Sequence, residues 1–304
     1  MRSLESYSTR CAICGVEGNA FELYPANFSM ESLNPTVFSA RRLPDRIHYR
    51  IVRCNTCGLV RSDPVADPEI VRQLYAQSTF DYDDEVDNLK LTYGRYLSSL
   101  EKYGAEKGAL LEIGCGNGFF LEEALKRGYA SVCGVEPSKD AVARASPLIR
   151  PHVFCDIMRP NLFAKEQFDV LCMFQVLDHI TDPSGLLDEC FRVLKPGGLF
   201  LCLNHNIESL SAMFSGKRSP IIDIEHTYVY SPDTLSRLFV SRGFDVLDIG
   251  SALNFYSPYY LARLVPLPGM IKGLLLKCLK IKLFRCIRLT VPLGNLCLVA
   301  RKPK

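Results

Sequence analysis

The stretch Leu110-Leu-Glu-Ile-Gly-Cys-Gly-Asn-Gly118, running directly into Phe119-Phe-Leu-Glu-Glu-Ala-Leu-Lys126, constrains the fold of this chain more than any other. Its apolar start reads as a buried strand, its alternate glycines as a tight turn, and the residues from Phe119 onward as a helix. A strand feeding a glycine turn and a helix is the unit with which α/β folds build parallel sheets. It also brings backbone amides up to a nucleotide-like ligand. The spacing is G-x-G-x-G rather than the G-x-G-x-x-G of dinucleotide binders, and the acidic Glu112 lies inside the strand.

Strands and helices alternate from here on, which predicts a parallel sheet. Ala109–Ile113 is the first strand and Phe119–Arg127 its helix, stopped by Gly128. Ser131–Glu136 reads as the second strand, Asp140–Ala145 as a helix, Val153–Cys155 as the third strand and Phe168–Phe174 as the fourth. Asp182-Pro183 supplies an N-cap and a first-turn proline for a helix over 184–194, and Lys195-Pro-Gly-Gly198 breaks it before the strand Leu199–Leu203. Ser231-Pro232 repeats the device before a helix over 233–242. Phe244–Ile249 and Leu296–Ala300 are expected as the last two strands. Upstream, Asp63-Pro-Val-Ala-Asp-Pro68 is a turn-rich exit from an N-terminal module. Leu89, Tyr93, Tyr96, Leu97 and Leu100 keep helical spacing. The expected organisation is therefore a small module over 1–68, a helical lid or linker over 69–105, and a large α/β domain over 106–304 with an insertion at 251–295.

Glu136 stands at the end of the second strand, 22 residues beyond Gly114. A carboxylate there can accept both hydroxyls of a ribose. Together with the glycine spacing and Glu112, this resembles motif I of class I S-adenosylmethionine (SAM)-dependent methyltransferases. Phe168-Asp-Val-Leu-Cys-Met-Phe-Gln-Val-Leu-Asp-His-Ile-Thr-Asp-Pro183, followed by Arg192-Val-Leu-Lys-Pro-Gly-Gly198, resembles that family's "FDxxxxxxVLEHxxDP" signature, with Asp178 in place of the usual glutamate. The resemblance implies a Rossmann-like sheet with helices on both faces and SAM as cofactor. It places Glu112, Gly114, Cys115, Gly116, Asn117, Gly118, Glu136 and Pro137 around the methionine and ribose. By the same resemblance Asp156 and Ile157 sit at the adenine, Gln175 lies beside the methionine, and Asp178 and His179 are at the pocket rim.

Four cysteines are paired: Cys11-Ala-Ile-Cys14 and Cys54-Asn-Thr-Cys57, about 40 residues apart, with Gly15 and Gly58 behind them. Paired C-x-x-C knuckles predict a closed tetrahedral Cys₄ zinc site in a ribbon, structural rather than catalytic. The other nine cysteines of the thirteen are scattered singly through apolar stretches and read as small buried hydrophobes.

The methyl acceptor is less explicit. Among five histidines, His205 follows the fifth strand, at the sheet edge where α/β enzymes place ligands. His226 lies in Ile224-Glu-His-Thr-Tyr-Val-Tyr-Ser231, which resembles the "EHxxYFS" segment of zinc-ribbon-containing sugar C-methyltransferases. In those enzymes the Glu-His pair carries acid/base catalysis and a tyrosine N-terminal to motif I enters the site. That resemblance implies Glu225 and His226 as the catalytic pair, with His179 as the alternative base and Tyr82 as the tyrosine. It also implies a small-molecule or glycan-type acceptor such as a sugar or lipid-linked intermediate. It covers the ribbon and the SAM fold only, because those enzymes carry a further C-terminal domain. Two readings from other classes stay open: a non-catalytic SAM-binding scaffold, and an RNA methyltransferase with the ribbon as a clamp. A formal net charge of +3 argues against nucleic acid.

The N-terminus has no signal-peptide pattern and no apolar run reaches the roughly 18 residues of a membrane span, so a cytoplasmic protein is expected. Within the insertion, residues 269–289 interleave apolar and basic side chains without an acid. That pattern suits a lid or dimer helix with a basic outer face, or an interfacial helix on an anionic membrane. Oligomeric state is open.

Overall fold

A computed structural model describes residues 6–29, 46–77, 85–264, 268–279 and 287–304. The N-terminal module contributes short strands β1 (Ser6–Tyr7), β2 (Ala20–Tyr24), β3 (Ile51–Cys54), β4 (Val60–Ser62) and β5 (Val65–Ala66). Helices α1 (Pro68–Ala76) and α2 (Val86–Ser99) follow. Asp67 caps α1 by accepting from the Glu69 amide, with Pro68 in the first turn.

The large domain then alternates β6 (Ala109–Ile113), α3 (Phe119–Lys126), β7 (Ser131–Val135), α4 (Lys139–Ala143), β8 (Val153–Phe154), β9 (Phe168–Phe174), α5 (Pro183–Val193) and β10 (Leu194–His205). It continues with α6 (Leu210–Ser215), β11 (Tyr228–Val229), α7 (Pro232–Ser241), β12 (Asp245–Tyr256), α8 (Pro258–Leu264), α9 (Gly269–Leu279) and β13 (Leu289–Arg301). Seven strands make one sheet in the order β12-β13-β10-β9-β6-β7-β8. β13 runs antiparallel to both its neighbours, while β10, β9, β6, β7 and β8 are mutually parallel. All seven residues of β9 are buried, as expected of a strand covered on both faces. Alternate side chains serve separate cores: Leu171 and Met173 pack with Leu111, Leu187 and Phe239, whereas Val170 and Cys172 pack with Leu97, Leu110 and Phe120.

The order places a topological switch between β6 and β9: the chain leaves β6 toward β7 and β8, then returns to lay β9 on the other side. Open α/β sheets bind ligands in the crevice beyond the strand ends at such a point. Gly114–Gly118 and Gln175 stand there.

Two departures from the sequence reading matter. The last two strands are longer than expected, reaching Tyr256 and starting at Leu289, so Ala252 pairs with Asn295 and Phe255 with Thr290. The ladder is irregular between Ala252 and Asn254, opposite Pro292 and Gly294, and that break disguises the extension in the sequence. The N-terminal module is also joined to the large domain by backbone pairing. β11 adds to β4, giving a four-stranded sheet in the order β11-β4-β3-β2. Cys11, Cys54, Cys57 and Leu59 share one apolar core with β6, β9 and α7.

Candidate active site

The glycine turn sets the first wall. Gly114, Gly116 and Gly118 all have positive φ, where a Cβ is strained. A Cβ at Gly114 would stand 2.3 Å from Val176 Cγ2, so the chain passes this close to the end of β9 only without a side chain. Glu136, at the end of β7, accepts from the Gly116 amide at 2.9 Å and from the Ser138 amide at 2.8 Å. Burial raises its carboxyl above the usual range while these two amides oppose the rise.

These residues border a cavity of about 1110 Å³. Of the residues expected at a cofactor, Glu112, Gly114, Cys115, Gly116, Glu136, Pro137, Asp156, Ile157 and Gln175 line it. Asn117 and Gly118 shape the turn instead: Asn117 Oδ1 accepts from the Phe119 amide at 3.3 Å, and Gly118 packs against Ile149. Asp156 accepts from the Ile157 amide and from Arg159, both at 2.8 Å, and the Arg159 guanidinium holds its carboxyl low. Two buried side-chain oxygens on the wall, Glu112 Oε2 and Gln175 Oε1, have no hydrogen-bond partner. Gln175 also adopts φ of 57° at the tip of β9. Strain and an unsatisfied acceptor at a strand end are marks of a ligand site.

The opposite end of the cavity carries a cluster of imidazoles. Asp178, fully buried on the turn after β9, accepts a hydrogen bond through Oδ2 from His205 Nδ1 at the end of β10. Its Oδ1 has no hydrogen-bond donor, and His179 Nε2 stands 3.6 Å away. Burial pushes the Asp178 carboxyl up, but the His205 and His179 imidazoles outweigh it and hold the group well below the usual carboxylate range. His179 Nδ1 bonds the Tyr75 hydroxyl of α1 at 2.7 Å, and burial lowers its pKa to about 4, leaving it neutral at pH 7. His226 Nδ1 donates to the Ile221 carbonyl at 2.8 Å; burial and neighbouring His205 lower its pKa also. Its ring lies 4.9 Å from that of His179 and 4.6 Å from that of His205, centroid to centroid. Glu225 and Asp223 line the same end.

The expected residues Glu225, His226 and His179 are thus brought together. Tyr82 lies outside the described residues; Tyr75 is the tyrosine that reaches His179. His205 and Asp178 form a hydrogen-bonded pair within the cluster. Their signal in the sequence was positional: each follows the C-terminal end of a neighbouring parallel strand.

The ribbon buttresses this end. Ser62 Oγ donates to the His226 carbonyl and the Ser62 amide to the Thr227 carbonyl, both at 2.8 Å. Tyr228 Oη donates to the Arg10 carbonyl at 2.7 Å. The four sulfurs of Cys11, Cys14, Cys54 and Cys57 all lie within 4.8 Å of one another, with Cys11 to Cys57 at 3.2 Å and Cys14 to Cys54 at 3.6 Å. These separations are too long for disulfides, at about 2.05 Å, and close to the edge of a thiolate tetrahedron around zinc, roughly 3.8 Å.

A family model described as "methyltransferase domain" matches residues 87–249, more than half of the chain. The chain belongs to this methyltransferase family. Its seven-stranded sheet is that of the class I SAM-dependent methyltransferase fold. The ubiquinone biosynthesis O-methyltransferase of Nitrobacter winogradskyi is 30% identical over 161 residues, covering 49% of this chain and 60% of that protein. The protein of the same name from Cereibacter sphaeroides is 33% identical over 155 residues, covering 46% of this chain and 61% of its own length. The methyltransferase thus spans about three fifths of the length of these relatives. A solved structure from Bacillus halodurans C-125, provisionally named a methyltransferase, aligns with a TM-score of 0.50 at 16% identity, covering 69% of this chain and 99% of that one. Among the described residues no helix is long and apolar enough to cross a membrane.

The residues present fit the cofactor. Unsatisfied buried acceptors at Glu112 and Gln175 belong to residues that line the cavity, and the close approach at Gly114 lets the glycine turn border it beside Val176.

Proposed function

We propose that this methyltransferase acts on a hydroxyl group of a small-molecule acceptor, with His205 as general base held by Asp178. The observation that carries the reading is the hydrogen bond between buried Asp178 and His205, which itself lines the cavity. An ionised carboxylate bonded to Nδ1–H fixes the tautomer whose lone pair is on Nε2, which is the atom free to take a proton. His226 has its Nδ1 committed to a backbone carbonyl and is only 6% exposed. We assign it, with Glu225 and His179, to shaping and polarising the acceptor end.

Gly114–Gly116, Glu136 and Gln175 would hold the methionine and ribose, and Asp156 and Ile157 the adenine. When bound, SAM supplies a sulfonium methyl group to an aligned nucleophile. The cavity is larger than the roughly 300–1,000 Å³ of a single-ligand pocket, which suits cofactor and acceptor side by side. Oxygen as the receiving atom agrees with the name of the O-methyltransferase relatives. Asn254, Asn295 and Tyr256 add polar groups that a sugar or other polyhydroxylated acceptor would use. The cysteine cluster is proposed to hold a structural zinc ion that fixes β4 against β11.

The test pairs calorimetry with a turnover assay. The wild-type chain binds S-adenosylhomocysteine and releases it from SAM when offered a panel of phenols, sugars and amines. The His205→Gln variant keeps that affinity and loses turnover. Methylation confined to the amines or to RNA would overturn the acceptor assignment, and full turnover by His205→Gln would overturn the base.

A further inference from the structure

We infer that Asp178, His179 and His226 form a second metal site, separate from the cysteine cluster, for a divalent first-row cation of the zinc or iron(II) type. One ligand atom from each of the three residues falls within 4.8 Å of the others. The Asp178 Oδ1 to His179 Nε2 distance of 3.6 Å is close to the edge of a tetrahedron with metal–ligand bonds of about 2.0–2.1 Å, roughly 3.3 Å. The His226 ring nitrogen completes the triangle within the same 4.8 Å limit.

The partners behind these atoms argue for a metal. A ligating imidazole is oriented by what its other nitrogen bonds, and a ligating carboxylate by what its other oxygen accepts. His226 Nδ1 is tied to the Ile221 carbonyl, His179 Nδ1 to Tyr75 Oη, and Asp178 Oδ2 to His205. In each case the remaining atom is the one turned to the common centre. Asp178 Oδ1 is the second mark: a carboxylate oxygen on a fully buried residue without a donor is costly unless something arrives to meet it.

Two imidazoles and one carboxylate select zinc or iron(II) over magnesium, which prefers oxygen and water. Three protein ligands beside a cavity leave a position open for a substrate oxygen, the arrangement of a catalytic rather than a structural site. A hydroxyl bound there is acidified as a Lewis-acid ligand, and His205 Nε2 takes its proton. This last role rests on the acceptor end proposed above; the metal site itself does not.

Cobalt(II) titration of the metal-stripped chain separates the two sites. Cobalt on the cysteines shows intense thiolate charge transfer in the near ultraviolet, and cobalt on an imidazole–carboxylate set shows only weak visible bands. The wild-type protein is expected to take a second equivalent without thiolate absorption. The His226→Gln and His179→Gln variants should lose that equivalent alone, with the thiolate bands and S-adenosylhomocysteine affinity unchanged. Uptake confined to the thiolate site in the wild type, or a second equivalent that survives both substitutions, overturns the proposal. Loss of S-adenosylhomocysteine binding by the wild type would instead strike the reading of the cavity and leave the cobalt result to stand alone.

Discussion

Replacing Gly114 by alanine tests the cofactor wall, with Gly104→Ala as the matched control. Both glycines have nearly the same left-handed backbone, φ of 74° and 76°. They differ in surroundings: a Cβ at Gly104 meets nothing within 4 Å, whereas at Gly114 it would stand 2.3 Å from Val176 Cγ2. The backbone penalty alone is about 1–2 kcal/mol for a residue with a side chain. At Gly114 the overlap must also be relieved. Carbon atoms rest at about 3.5–4.0 Å, so Val176 would have to retreat by more than about 1.2 Å, and overpacking of that kind costs about 1–3 kcal/mol. Gly114→Ala is therefore expected to lose about 2–5 kcal/mol against about 1–2 for Gly104→Ala. At roughly 2–4 °C per kcal/mol for domains of this size, thermal melting separates them. Val176 lies between Gln175 and the turn that carries Asp178, so the same displacement should weaken S-adenosylhomocysteine binding by tenfold or more, which needs only about 1.4 kcal/mol. Calorimetry reads this directly. Equal melting shifts for the two variants, with unchanged affinity in Gly114→Ala, would refute the close-approach reasoning.

Glu136→Gln should raise the dissociation constant for S-adenosylhomocysteine by about tenfold to a hundredfold, because a ribose that met a carboxylate meets a neutral amide. In the wild type, whose Glu136 carboxyl is raised by burial, affinity should fall on acidification and begin to fall at a higher pH than an ordinary carboxylate would impose; a flat calorimetric profile in the wild type would count against it. Asp178→Asn removes the acceptor-only carboxylate that fixes the His205 tautomer, and turnover should drop by roughly a hundredfold to ten-thousandfold with cofactor affinity kept; a loss under threefold would show that His205 is not held for proton transfer. Cys14→Ser should release the ribbon zinc, whose binding is on the order of 10 kcal/mol in small zinc modules, and speed hydrogen exchange at 224–230. Unchanged exchange there would separate the ribbon from the site.

Much of the sheet was legible because each parallel strand is short, apolar and bounded by a cap or a glycine. Asp182-Pro183 and Ser231-Pro232 start their helices where expected, with Asp182 accepting from the Gly185 amide and Ser231 from the Thr234 amide. Local patterns fail where the ladder is interrupted, so the extension of β12 and β13 into the insertion went unseen. They fail again where the chemistry is assembled from afar. Tyr75 and His179 are 104 positions apart, and Asp178 and His205 are 27 apart. Each looks ordinary in its own segment, and only the register of β9 beside β10 puts Asp178 under His205. The "EH" segment drew attention to His226 because its neighbours repeat a familiar pattern, which says nothing about where its Nδ1 hydrogen bond goes. Of the basic, apolar stretch, α9 is described to Leu279 and leaves Met270, Ile271 and Leu274 exposed, while 280–286 lie outside the described residues.

The pairing of β4 with β11 explains why a zinc-ribbon-like module precedes this methyltransferase sheet. β11 is two residues long and has no neighbour in the seven-stranded sheet. Its backbone groups are buried, and a buried amide or carbonyl without a partner is expensive. The ribbon supplies those partners through Val60 and Arg61 in register with Val229 and Tyr228. Ser62 extends the contact to the carbonyls of His226 and Thr227. The Thr227 amide in turn bonds the Asp178 carbonyl at 2.8 Å. A chain of backbone hydrogen bonds thus runs from the cysteine-bearing hairpin, through the loop of His226, to the turn of Asp178 and His179. The loop before α7 would otherwise be a surface connection free to move; clamped between the ribbon and the end of β9, it holds His226 within reach of Asp178, His179 and His205. On this argument the cysteine cluster has no part in the chemistry, yet the acceptor end of the site depends on it.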